Sequence, residues 1–497
     1  GYRYNSGLVV SAGGGAPFAN ISSLQFDGVD DYLDVGDSDD FSFGNGTTDS
    51  PFSISAWVKM DGTGIFGILN KYGGASATSE YAFGFAANNK LQLVLTKSGS
   101  LYVYRGRRQN VTLNTGEWYH VVGTYDGRGG NLAQEGIKLY VNGVRVDDVD
   151  ESYGSGYTAM GNTSTPVLLA KQTSYYSDGL MDEVAVFNSE LSVSDVTDIY
   201  NLGTPNDLTD LNPIAWYRNG DNGSWKSPQW LIPNNENFAA NKVSNYSFDF
   251  DGIDDKVELG TQSLGITGAI SVSAWVKIPT SNTGGAAPNI QQFVCEDRLG
   301  GTDRNWALTW RGGTRNYFSF TVWNTNGSVI GINSVGVLAN DGNWHHLLGT
   351  YDGTTSVNGL KLFVDGALNV QATMSSIGVR SSSSVIPTIA SGSNSSVRQF
   401  EGNIDEVSIF DTDQSANIAT IYNSGTPTTI SGALANYRMG EDATFAGGVW
   451  TVPDAVGSND GSSLNMTIED RIGEAPNSSN NAVSLNMDEV DVVPDVP

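Results

Sequence analysis

Hydrophobic and polar residues alternate along much of the chain. Residues 52–59 read FSISAWVK and residues 270–277 read ISVSAWVK, with an apolar residue at every second position of each segment. Because successive side chains of a β-strand point to opposite faces, a period of two is typical of a strand that buries one face. The pattern therefore predicts half-buried antiparallel strands rather than amphipathic helices.

Short turns join two pairs of apolar runs. Asn142-Gly143 lies within IKLYVNGVRV, and Asp365-Gly366 lies within LKLFVDGALNV. A type I′ turn needs positive φ at both central residues, which these residue types tolerate, so each segment is predicted to be a β-hairpin. With 60 glycines between many short strands, the chain is predicted to be all-β and to consist of antiparallel β-sandwich (jelly roll) domains.

The chain also repeats itself. Five segments of its first half return in the same order in its second half, and the separation stays between 218 and 226 residues. The first set is FDGVDDYLDVG (26–36), SISAWVKM (53–60), EWYHVVGTYDG (117–127), IKLYVNG (137–143) and MDEVAVF (181–187). The second set is FDGIDDKVELG (250–260), SVSAWVKI (271–278), NWHHLLGTYDG (343–353), LKLFVDG (360–366) and IDEVSIF (404–410). A repeat of this length indicates a duplicated domain, each copy with its own core.

One helical signal occurs near the end of each copy. Residues 192–200 and 414–422 carry apolar side chains at helical spacing, and each segment is followed by a glycine suited to a C-terminal cap, Gly203 or Gly425. Each jelly roll is therefore predicted to end with a short helix packed on the sandwich.

The segment after each helix is repeated as well. Residues 215–238 and 435–458 share tyrosine, tryptophan and proline residues 220 positions apart. Residues 484–488 are interpreted as the opening strand of a further copy. The predicted division is a first jelly roll (1–206), a second jelly roll (207–428) and a partial third unit (429–497). A partial unit cannot build a sandwich alone, so we expect it either to cover the second jelly roll or to add strands to a neighbouring subunit.

Charge excludes several classes of partner. The formal net charge is −28 at pH 7 and the pI is near 4.2, so phosphate backbones and anionic lipid surfaces would repel the protein. No apolar run approaches the roughly 20 residues of a membrane span. Nucleic acid binding and membrane insertion are therefore not expected. The single cysteine, Cys295, is expected to be a small buried residue.

The repeated motifs resemble those of laminin-G-like jelly rolls in the concanavalin A-like lectin/glucanase superfamily. The FDG, SAWVK, GTYDG, LKLFVDG and DEV segments each occur twice in the order typical of that family, over about 400 residues. This resemblance implies two tandem jelly rolls. The stretch from YRMGEDATF to the last residue is similar to the C-terminal ends of laminin-G-like virion proteins of marine tailed bacteriophages, which implies a setting on a virion.

Aspartates of the repeated FDG motif are candidates for a metal site. Ca²⁺ requires several oxygen ligands, and aspartates on a tight loop supply them. The resemblance implies a structural Ca²⁺ between the FDG segment and the DEV strand. The predicted ligands are Asp27, Asp30 and Asp182 in the first copy and Asp251, Asp254 and Asp405 in the second. The alternative is that these aspartates only form turns and cap backbone N–H groups.

Catalytic motifs are not found. A retaining glycosidase needs two carboxylates about 5–5.5 Å apart, which on a strand means a spacing such as E-x-D-x-E. Asp182-Glu183 and Asp405-Glu406 are adjacent, so their side chains are expected to point to opposite faces of the strand. His120 and His346 lie within predicted strands, where they are expected to make core hydrogen bonds, and no serine or cysteine elbow accompanies them. No enzyme is predicted.

Aromatic residues are the other candidates for ligand binding. Sugar rings stack their apolar faces on tryptophan or tyrosine, and two segments carry such residues at same-face spacing. The candidate ligand-binding residues are Tyr102, Tyr104, Arg105, Trp306 and Trp310. The alternative is that they belong to the core. Neither segment is repeated, so either one copy binds a ligand or the two copies bind different ones.

These patterns predict a non-enzymatic, surface-displayed protein for adhesion and carbohydrate binding. The phage resemblance favours a virion component, such as a fibre, an appendage or a capsid decoration. Its expected partners are host glycans or a host surface receptor, together with other virion subunits in an oligomeric assembly. The first alternative is a secreted bacterial adhesin or carbohydrate-binding module, and the second is a purely structural virion or filament protein. The expected location is extracellular, at the virion surface.

Overall fold

The computed structural model describes residues 20–75, 78–100, 102–236, 244–284, 290–298, 304–324, 329–355, 358–372, 384–393 and 398–497. Within these ranges the chain is nearly all β, as predicted. It divides into two compact units. The first comprises Gly1–Gly223 with Ala482–Pro497, and the second comprises Ser224–Asn481.

The strands are numbered in chain order. Those before residue 224 are β1 (Ser23–Asp27), β2 (Tyr32–Gly36), β3 (Phe52–Met60), β4 (Phe66–Tyr72), β5 (Ser79–Ala86), β6 (Lys90–Thr96), β7 (Tyr104–Arg108), β8 (Trp118–Tyr125), β9 (Ile137–Val141), β10 (Val144–Arg145), β11 (Val149–Asp150), β12 (Val167–Leu169), β13 (Lys171–Gln172), β14 (Tyr175–Tyr176), β15 (Asp178–Phe187) and β16 (Ala215–Tyr217). Those of the second unit are β17 (Ser224–Lys226), β18 (Gln229–Ile232), β19 (Ser247–Asp251), β20 (Lys256–Leu259), β21 (Ile270–Lys277), β22 (Ile290–Asp297), β23 (Arg304–Arg311), β24 (Tyr317–Trp323), β25 (Val329–Asn333), β26 (Trp344–Tyr351), β27 (Leu360–Val364), β28 (Ala367–Gln371), β29 (Thr388–Ile389), β30 (Glu401–Phe410), β31 (Ala435–Tyr437), β32 (Thr444–Ala446), β33 (Val449–Val452), β34 (Gly461–Leu464) and β35 (Arg471–Ile472). The last strands, β36 (Ala482–Leu485) and β37 (Val492–Val493), belong to the first unit.

Each unit is built on two large antiparallel sheets, and in the first unit β13 and β14 form a separate two-stranded sheet. In the first unit, one sheet has the order β10-β9-β8-β3-β15-β1-β37, with β16 also paired to β15, and the other contains β11-β7-β6-β5-β4-β12-β2-β36. In the second unit, the matching orders are β28-β27-β26-β21-β30-β19-β35, with β31 paired to β30, and β25-β24-β23-β22-β29-β20-β34-β33-β32. The two copies therefore fold alike, as the repeat predicts.

A glycine in each unit sets how closely the two sheets approach. A Cβ atom added to Gly349 of β26 would lie 2.4 Å from the ring of Phe320, which belongs to β24 of the facing sheet. In the first unit, a Cβ atom on Gly123 would lie 2.8 Å from the ring of Phe83. The glycine of the repeated GTYDG motif is therefore a packing residue, because any side chain at this position would enter the core.

Both predicted helices are present. Helix α1 (Val193–Tyr200) begins with a capping box in which Ser192 and Asp195 bond to each other's backbone N–H groups. Helix α2 (Ile418–Tyr422) follows a single 3-10 turn. Among the described residues, no helix is long and apolar enough to cross a membrane.

The central strand β3 is buried on both faces, although its alternating sequence predicts one exposed face. Ser55 and Trp57 are at most 3% exposed. Helix α1 covers this side of the sheet, and its Tyr200 ring stacks on Trp57 with 6.0 Å between the ring centroids. Tyr422 of α2 covers Trp275 of β21 in the same way, at 5.8 Å. The expectation of a half-buried strand is therefore wrong for these two strands.

The two predicted hairpin turns are confirmed. Asn142 and Gly143 connect β9 to β10 with φ values of 50° and 75°. Asp365 and Gly366 connect β27 to β28 with φ values of 49° and 78°. Positive φ at both central residues is the requirement of a type I′ turn.

Residues 429–497 do not form a third unit, in contrast to the predicted division. Strands β31 to β35 extend the sheets of the second unit, where β34 pairs with β20 and β35 pairs with β19. Strands β36 and β37 extend the first unit in the same way, by pairing with β2 and β1. The segment covers the second jelly roll as expected, and it completes the first one as well.

A short repeat accounts for this arrangement. The sequence SLNM occurs at 463–466 and again at 484–487, so one copy reaches each unit. The interpretation of residues 484–488 as the opening strand of a further copy is wrong, because β36 pairs with β2 whereas the opening strand β19 pairs with β30. A match of a few alternating residues does not identify the neighbour of a strand.

Candidate ligand-binding pocket

Trp306 and Trp310 point into the core of the second unit. Both side chains are fully buried in its main apolar cluster. The expectation that they bind a ligand is wrong, since a ring inside the sandwich cannot stack on a sugar. The alternation of β23 directs Ala307 and Thr309 to the opposite face of the sheet, where a pocket lies.

An irregularity in β22 gathers polar side chains on this outer face. The pairing of β22 with β23 shifts between Gln292 and Val294, which makes Phe293 an extra residue in the strand. An inserted residue moves all later side chains to the other face. Gln292 and Asp297 consequently share a face, and Gln292 Nε2 donates a hydrogen bond to Asp297 Oδ2 at 2.8 Å.

Three arginine side chains converge with Asp297 in this pocket. The pocket has a volume of about 340 Å³, and its walls include Arg304, Arg311 and Arg398. Asp297 is fully buried and accepts hydrogen bonds from Arg304 Nη2 at 2.8 Å and from Arg398 Nη1 at 3.0 Å. One carboxylate therefore fixes two of the three guanidinium groups.

The floor of the pocket contains polar atoms with no hydrogen-bond partner among the described residues. They are the buried Nε atoms of Arg311 and Arg398 and the buried carboxamide oxygen of Gln292. Burial, reinforced by the neighbouring arginines, lowers the pKa of Arg311 and of Arg398 below the usual range. A buried polar group without a partner costs about 1–3 kcal/mol. The pocket thus keeps unused hydrogen-bonding capacity beside an excess of positive charge.

One wall of the pocket is aromatic. Trp323 packs outside the main core with Cys295 and Ala307, and its side chain is 7% exposed. The guanidinium carbon of Arg304 lies 4.1 Å from the centroid of a Trp323 ring, which is a cation–π contact. Cys295 is buried, as predicted, and burial raises the pKa of its thiol to about 11. The pocket therefore combines fixed charges, an amide and an apolar wall.

The first unit does not repeat this chemistry. The strand pairing of the two units is the same, including the shift in the first pair of strands, so corresponding positions can be aligned. The aligned residues of the first unit are Tyr72 for Asp297, Ser79 for Arg304, Ala86 for Arg311 and Thr96 for Trp323. None of these four is charged at neutral pH.

The predicted ligand-binding residues of the first unit, Tyr102, Tyr104 and Arg105, do not line this pocket and have different surroundings. Tyr102 is 77% exposed, and Tyr104 stacks on Tyr153 with 5.9 Å between centroids. Arg105 is 4% exposed and donates to the backbone carbonyl oxygens of Tyr104 at 2.7 Å and of Asn131 at 2.9 Å. The guanidinium group of Arg105 is therefore used in structural hydrogen bonds. Ligand binding by Tyr102 and Tyr104 stays a prediction.

The FDG aspartates form tight turns at the ends of β1 and β19. Asp27 Oδ1 accepts hydrogen bonds from the backbone N–H of Val29 at 2.8 Å and of Asp30 at 3.3 Å. Burial raises the pKa of Asp31 to about 7. Each contact recurs in the second unit, at Asp251, Ile253, Asp254 and Asp255. In each turn three carboxylates offer oxygens within 4.8 Å of one another, but the first aspartate already caps the turn.

Asp182 and Asp405 lie away from these turns. Asp27 is opposite Asp178 in the pairing of β1 with β15, and Asp182 is opposite Trp57 of β3. Four residues of strand separate Asp178 from Asp182, which is about 13 Å. The structure therefore does not bring Asp182 to the Asp27 turn, and the same pairing keeps Asp405 from Asp251.

A bulge places adjacent carboxylates side by side. Glu406 has a φ of 46°, and the pairing of β30 with β21 shifts at this point. Oxygens of Asp405, Glu406 and Glu441 lie within 4.8 Å of one another. Burial, followed by repulsion from Glu406, raises the pKa of Asp405 well above its usual range. The expectation that adjacent carboxylates point to opposite faces is wrong here, because the bulge breaks the alternation.

Buried oxygens that fit a calcium ion lie beside Asp182 and in the cluster of Asp405, Glu406 and Glu441. In the first unit, Asn20 Nδ2 donates to Asp182 Oδ2 at 2.8 Å, and the buried Oδ1 of Asn20 has no partner among the described residues. In the second unit, Asn245 Oδ1 and Glu441 Oε2 are also buried without a partner. Carboxylate and amide oxygens are the ligands that Ca²⁺ takes in proteins. Several oxygens around Asp405 already accept hydrogen bonds, as at the FDG turns, but Asn245 Oδ1 and Glu441 Oε2 remain available to an ion among the described residues.

The histidines at equivalent positions of the two copies, His120 and His346, are core residues, as predicted. Nε2 of His120 lies 2.9 Å from Ser55 Oγ, and Nε2 of His346 lies 2.9 Å from Ser273 Oγ. Burial lowers the pKa of His120 to about 3 and that of His346 to about 4. Both pairs are inside the protein, where a substrate cannot reach the serine.

One family profile matches each copy of the repeat. The laminin-G-like profile covers residues 27–197 and again residues 251–417, which together exceed half of the chain. The chain belongs to the concanavalin A-like lectin/glucanases superfamily. Each match runs from the FDG turn to the region of the C-terminal helix, and the pocket residues from Gln292 to Arg398 lie within the second match. The pocket is thus a feature of one superfamily domain of this chain.

Solved structures of several proteins resemble the chain. Domains LG4–5 of the mouse laminin alpha1 chain give a TM-score of 0.27 at 10% identity, over 82% of this chain and 93% of that chain. A protein of Bacteroides ovatus, provisionally described as carbohydrate-binding, gives a TM-score of 0.34 at 11% identity, over 86% of this chain and 91% of that chain. The third structure is domain 4 of AbnA, an extracellular arabinanase of Geobacillus stearothermophilus, in complex with arabinotriose. It gives a TM-score of 0.23 at 19% identity, over 31% of this chain and 68% of that chain. These scores are low, so superfamily membership rests on the sequence profile. No curated protein matches the chain in sequence.

Sequence reasoning missed the residues of the pocket. The segment NWALTWRGGTRNYFSF is noticeable because it is not repeated, but its tryptophans draw attention to the inward face. The alternation of β23 also places Arg311 on the outward face, and this feature of the sequence could have indicated a charged site there. Asp297 and Arg398 are distant in sequence, and only the folded sheet brings them together.

Proposed function

We propose that this protein binds carbohydrate without modifying it, through the pocket on the outer face of β22, β23 and β24. The observation that carries the proposal is the combination of three guanidinium groups, an amide and an indole wall on a rigid sheet. A few fixed polar groups next to an aromatic surface are typical of small-ligand sites, including sugar sites. Membership of a superfamily of lectins and glucanases supports the same function.

The carboxylates favour binding over catalysis. Asp405 and Glu406 are close together, but both are at most 5% exposed, so a glycosidic bond could not reach them. In the pocket, Asp297 is the carboxylate, and it accepts hydrogen bonds from Arg304, Arg398 and Gln292. A carboxylate held by several donors is a weak general acid or base.

The proposed setting is extracellular, on the surface of a bacteriophage particle, as a fibre, an appendage or a capsid decoration that contacts host glycans. The similarity of the C-terminal segment to phage virion proteins supports this setting. Mass spectrometry of purified particles tests it: the chain should be present in them. Its presence in the medium without particles would favour a secreted bacterial adhesin, and particle association without glycan binding would favour a purely structural role.

A structural calcium ion in each unit is part of the proposal. Asp182 with Asn20 would hold it in the first unit, and the cluster of Asp405, Glu406 and Glu441 would hold it in the second, since both places contain buried oxygens without partners among the described residues. A bound ion would offset the repulsion between the carboxylates and stabilise the native state by about 2.7 kcal/mol at one hundred times Kd. Unfolding should therefore occur at a higher temperature with calcium than with EDTA. Asp182→Asn and Asp405→Asn should each remove part of this difference, and equal unfolding temperatures of the wild type in both buffers would contradict the proposal.

A glycan array tests the function itself. The full chain should bind a subset of arrayed glycans, and Arg311→Gln should weaken that binding. Arg315→Gln is the matched control, because Arg315 carries the same charge in the turn after β23 but is exposed and is not part of the pocket wall. Failure of the folded wild type to bind any arrayed glycan would refute the carbohydrate-binding proposal.

A further inference from the structure

We propose that the pocket selects saccharides that carry a negatively charged group, a carboxylate or a sulfate ester, and that Arg311 is the residue that binds this group. The inference rests on the proposed function, because it names the class of saccharide for the same site. The established membership of the superfamily does not supply it, since the first copy of the same fold has Ser79 and Ala86 at the positions of Arg304 and Arg311.

Charge balance inside the pocket points to an anion. Arg304, Arg311 and Arg398 contribute three positive charges, and Asp297 contributes one negative charge. Among the described residues, the walls of the pocket therefore carry more positive than negative charge, and the three arginine side chains are partly buried. A partly buried charge without a counter-ion is unfavourable, and a bound anion would reduce that cost. The pocket is also an exception in a chain whose formal net charge is −28.

The ion pairs leave Arg311 available. Asp297 is engaged by Arg304 and Arg398, at 2.8 Å and 3.0 Å, and by Gln292 at 2.8 Å. Arg311 lines the pocket and has no carboxylate partner among the described residues, and its buried Nε–H is without an acceptor there. A guanidinium group offers parallel N–H donors that match the two oxygens of a carboxylate or sulfate. A small rotation of Arg311 toward such a group would satisfy the unpaired donor.

The remaining walls favour a sugar over a bare inorganic anion. Gln292 has a carboxamide oxygen without a donor among the described residues, which can accept a hydrogen bond from a hydroxyl group. Trp323 contributes apolar surface to the wall, and the guanidinium group of Arg304 lies over its ring. A volume of about 340 Å³ is at the lower end of the range for small-ligand pockets, which suits one or two sugar units.

The backbone at Arg398 carries strain that supports a binding role. Its φ is 72°, a conformation that residues other than glycine rarely adopt. The backbone oxygen of Arg398 accepts a hydrogen bond from Gln292 N at 3.0 Å, which ties the arginine to the bulge of β22. Strained residues held by their surroundings are concentrated at ligand sites. The hydrogen bond from Gln292 thus helps to hold this backbone conformation, with the guanidinium group beside Asp297.

Calorimetric titration with matched pairs of sugars tests the inference on the full chain. The pairs are galacturonate oligomers with galactose oligomers, galactose 6-sulfate with galactose, and sialyllactose with lactose. The wild type should bind at least one acidic member more tightly than its neutral partner, and added salt should weaken that binding. The carboxylate and sulfate arms distinguish the two kinds of anionic group.

Variants separate the role of Arg311 from general charge. Arg311→Gln should reduce affinity for the acidic sugar by roughly ten- to hundredfold, since a hydrogen bond to a charged group is lost. Arg315→Gln, with the same change of net charge, should leave the affinity within about twofold of the wild type, because the removed charge is exposed and screened. Arg311→Lys should recover only part of the affinity, because lysine keeps the charge but loses the paired donors.

The outcomes distinguish this inference from the proposed function. Equal affinity for acidic and neutral members, or an acidic preference that persists in Arg311→Gln, would overturn the inference while carbohydrate binding stands. No binding of any saccharide by wild-type protein with native circular dichroism would overturn both.

Discussion

Individual residues carry two separate tasks in this protein. Residues shared by the two copies serve the fold: Gly349 lets the two sheets pack closely, and His346 of β26 contacts Ser273 of the neighbouring strand β21. Residues that differ between copies form the pocket, and Asp297 organises it by accepting hydrogen bonds from Arg304 and Arg398. The shared residues are predictable from the repeat, whereas the pocket depends on which side chains a bulge brings to one face.

Replacing Gly349 by alanine tests the packing role of the repeated glycine. The new Cβ atom would lie 2.4 Å from Phe320, so the sheets must separate or the ring must move. We expect the free energy of unfolding of the second unit to fall by about 1–3 kcal/mol, as for other overpacked cores. Gly268→Ala is the control, because a Cβ atom there would lie more than 4 Å from the atoms of the described residues other than its chain neighbours. Urea unfolding measures both, and equal losses in the two variants would contradict the packing account.

Replacing His346 by glutamine tests the effect of burying a histidine. Its pKa falls from 6.5 to about 4 on folding, so between these pH values the unfolded chain binds more protons. The free energy of unfolding therefore decreases as the pH falls through this window, by about 1.4 kcal/mol per pH unit for one such group. In the His346→Gln variant, this pH-dependent contribution to the free energy of unfolding should be absent. Compared with the wild type, the variant should be less destabilised on moving from pH 7 to pH 5 in urea titrations.

The neighbouring His345 provides a control of opposite sign. Burial lowers its pKa, but the ion pairs with Asp365 and Asp341 outweigh burial and raise the pKa above 6.5. The stability that His345 contributes is therefore present below the unfolded pKa and is lost as the pH rises through the folded one. His345→Gln should be most destabilising in acid. Parallel pH profiles for the two histidine variants would disagree with the assignment of buried and paired environments.

At the scale of elements, the last strands of the chain complete edges that the repeats leave open. β34 and β35 pair with β20 and β19, and β36 and β37 pair with β2 and β1. Side chains reinforce the second arrangement, since Trp118 Nε1 donates to Asp495 Oδ1 at 2.9 Å and Lys59 forms an ion pair with Asp495. An unpaired edge would invite association with other strands. The C-terminal segment therefore protects the sheets of both units.

Ending the chain after Asn481 tests this protective role. The first unit would lose β36 and β37, so amide protons of β1 and β2 should exchange with solvent faster than in the full chain. A peptide of residues 482–497 added in trans should restore part of the protection. Asp495→Asn is the milder control, because an exposed ion pair contributes only about 0–1 kcal/mol. Unchanged exchange at β1 and β2 after truncation would contradict the account.

Element boundaries were more predictable from sequence than element partners. The hairpins at Asn142 and Asp365 and both helices follow from local residue types, because turn geometry and capping are local. The burial of Ser55 and Trp57 was not predictable, since it depends on a helix more than a hundred residues away. The predicted role of residues 484–488 was wrong for a similar reason, because the neighbour of this strand is β2, which is distant in sequence.

For the whole molecule, duplication separates a conserved frame from a variable site. Both copies match the same superfamily profile and have the same sheet order, so the frame is shared. The pocket occurs in the second copy, where the first has Tyr72 and Ala86 at the positions of Asp297 and Arg311. The net charge of −28 repels anions in general, so an acidic ligand must gain its affinity from contacts inside the pocket.

The central claim is that recognition lies in what the two copies do not share, and the stoichiometry of glycan binding tests it most directly. Calorimetric titration of the full chain with a saccharide selected on the array should give one site per chain. That site should be lost or strongly weakened in Arg311→Gln and retained in Arg315→Gln. Two equivalent sites per chain, or one site that is insensitive to Arg311→Gln, would contradict the claim.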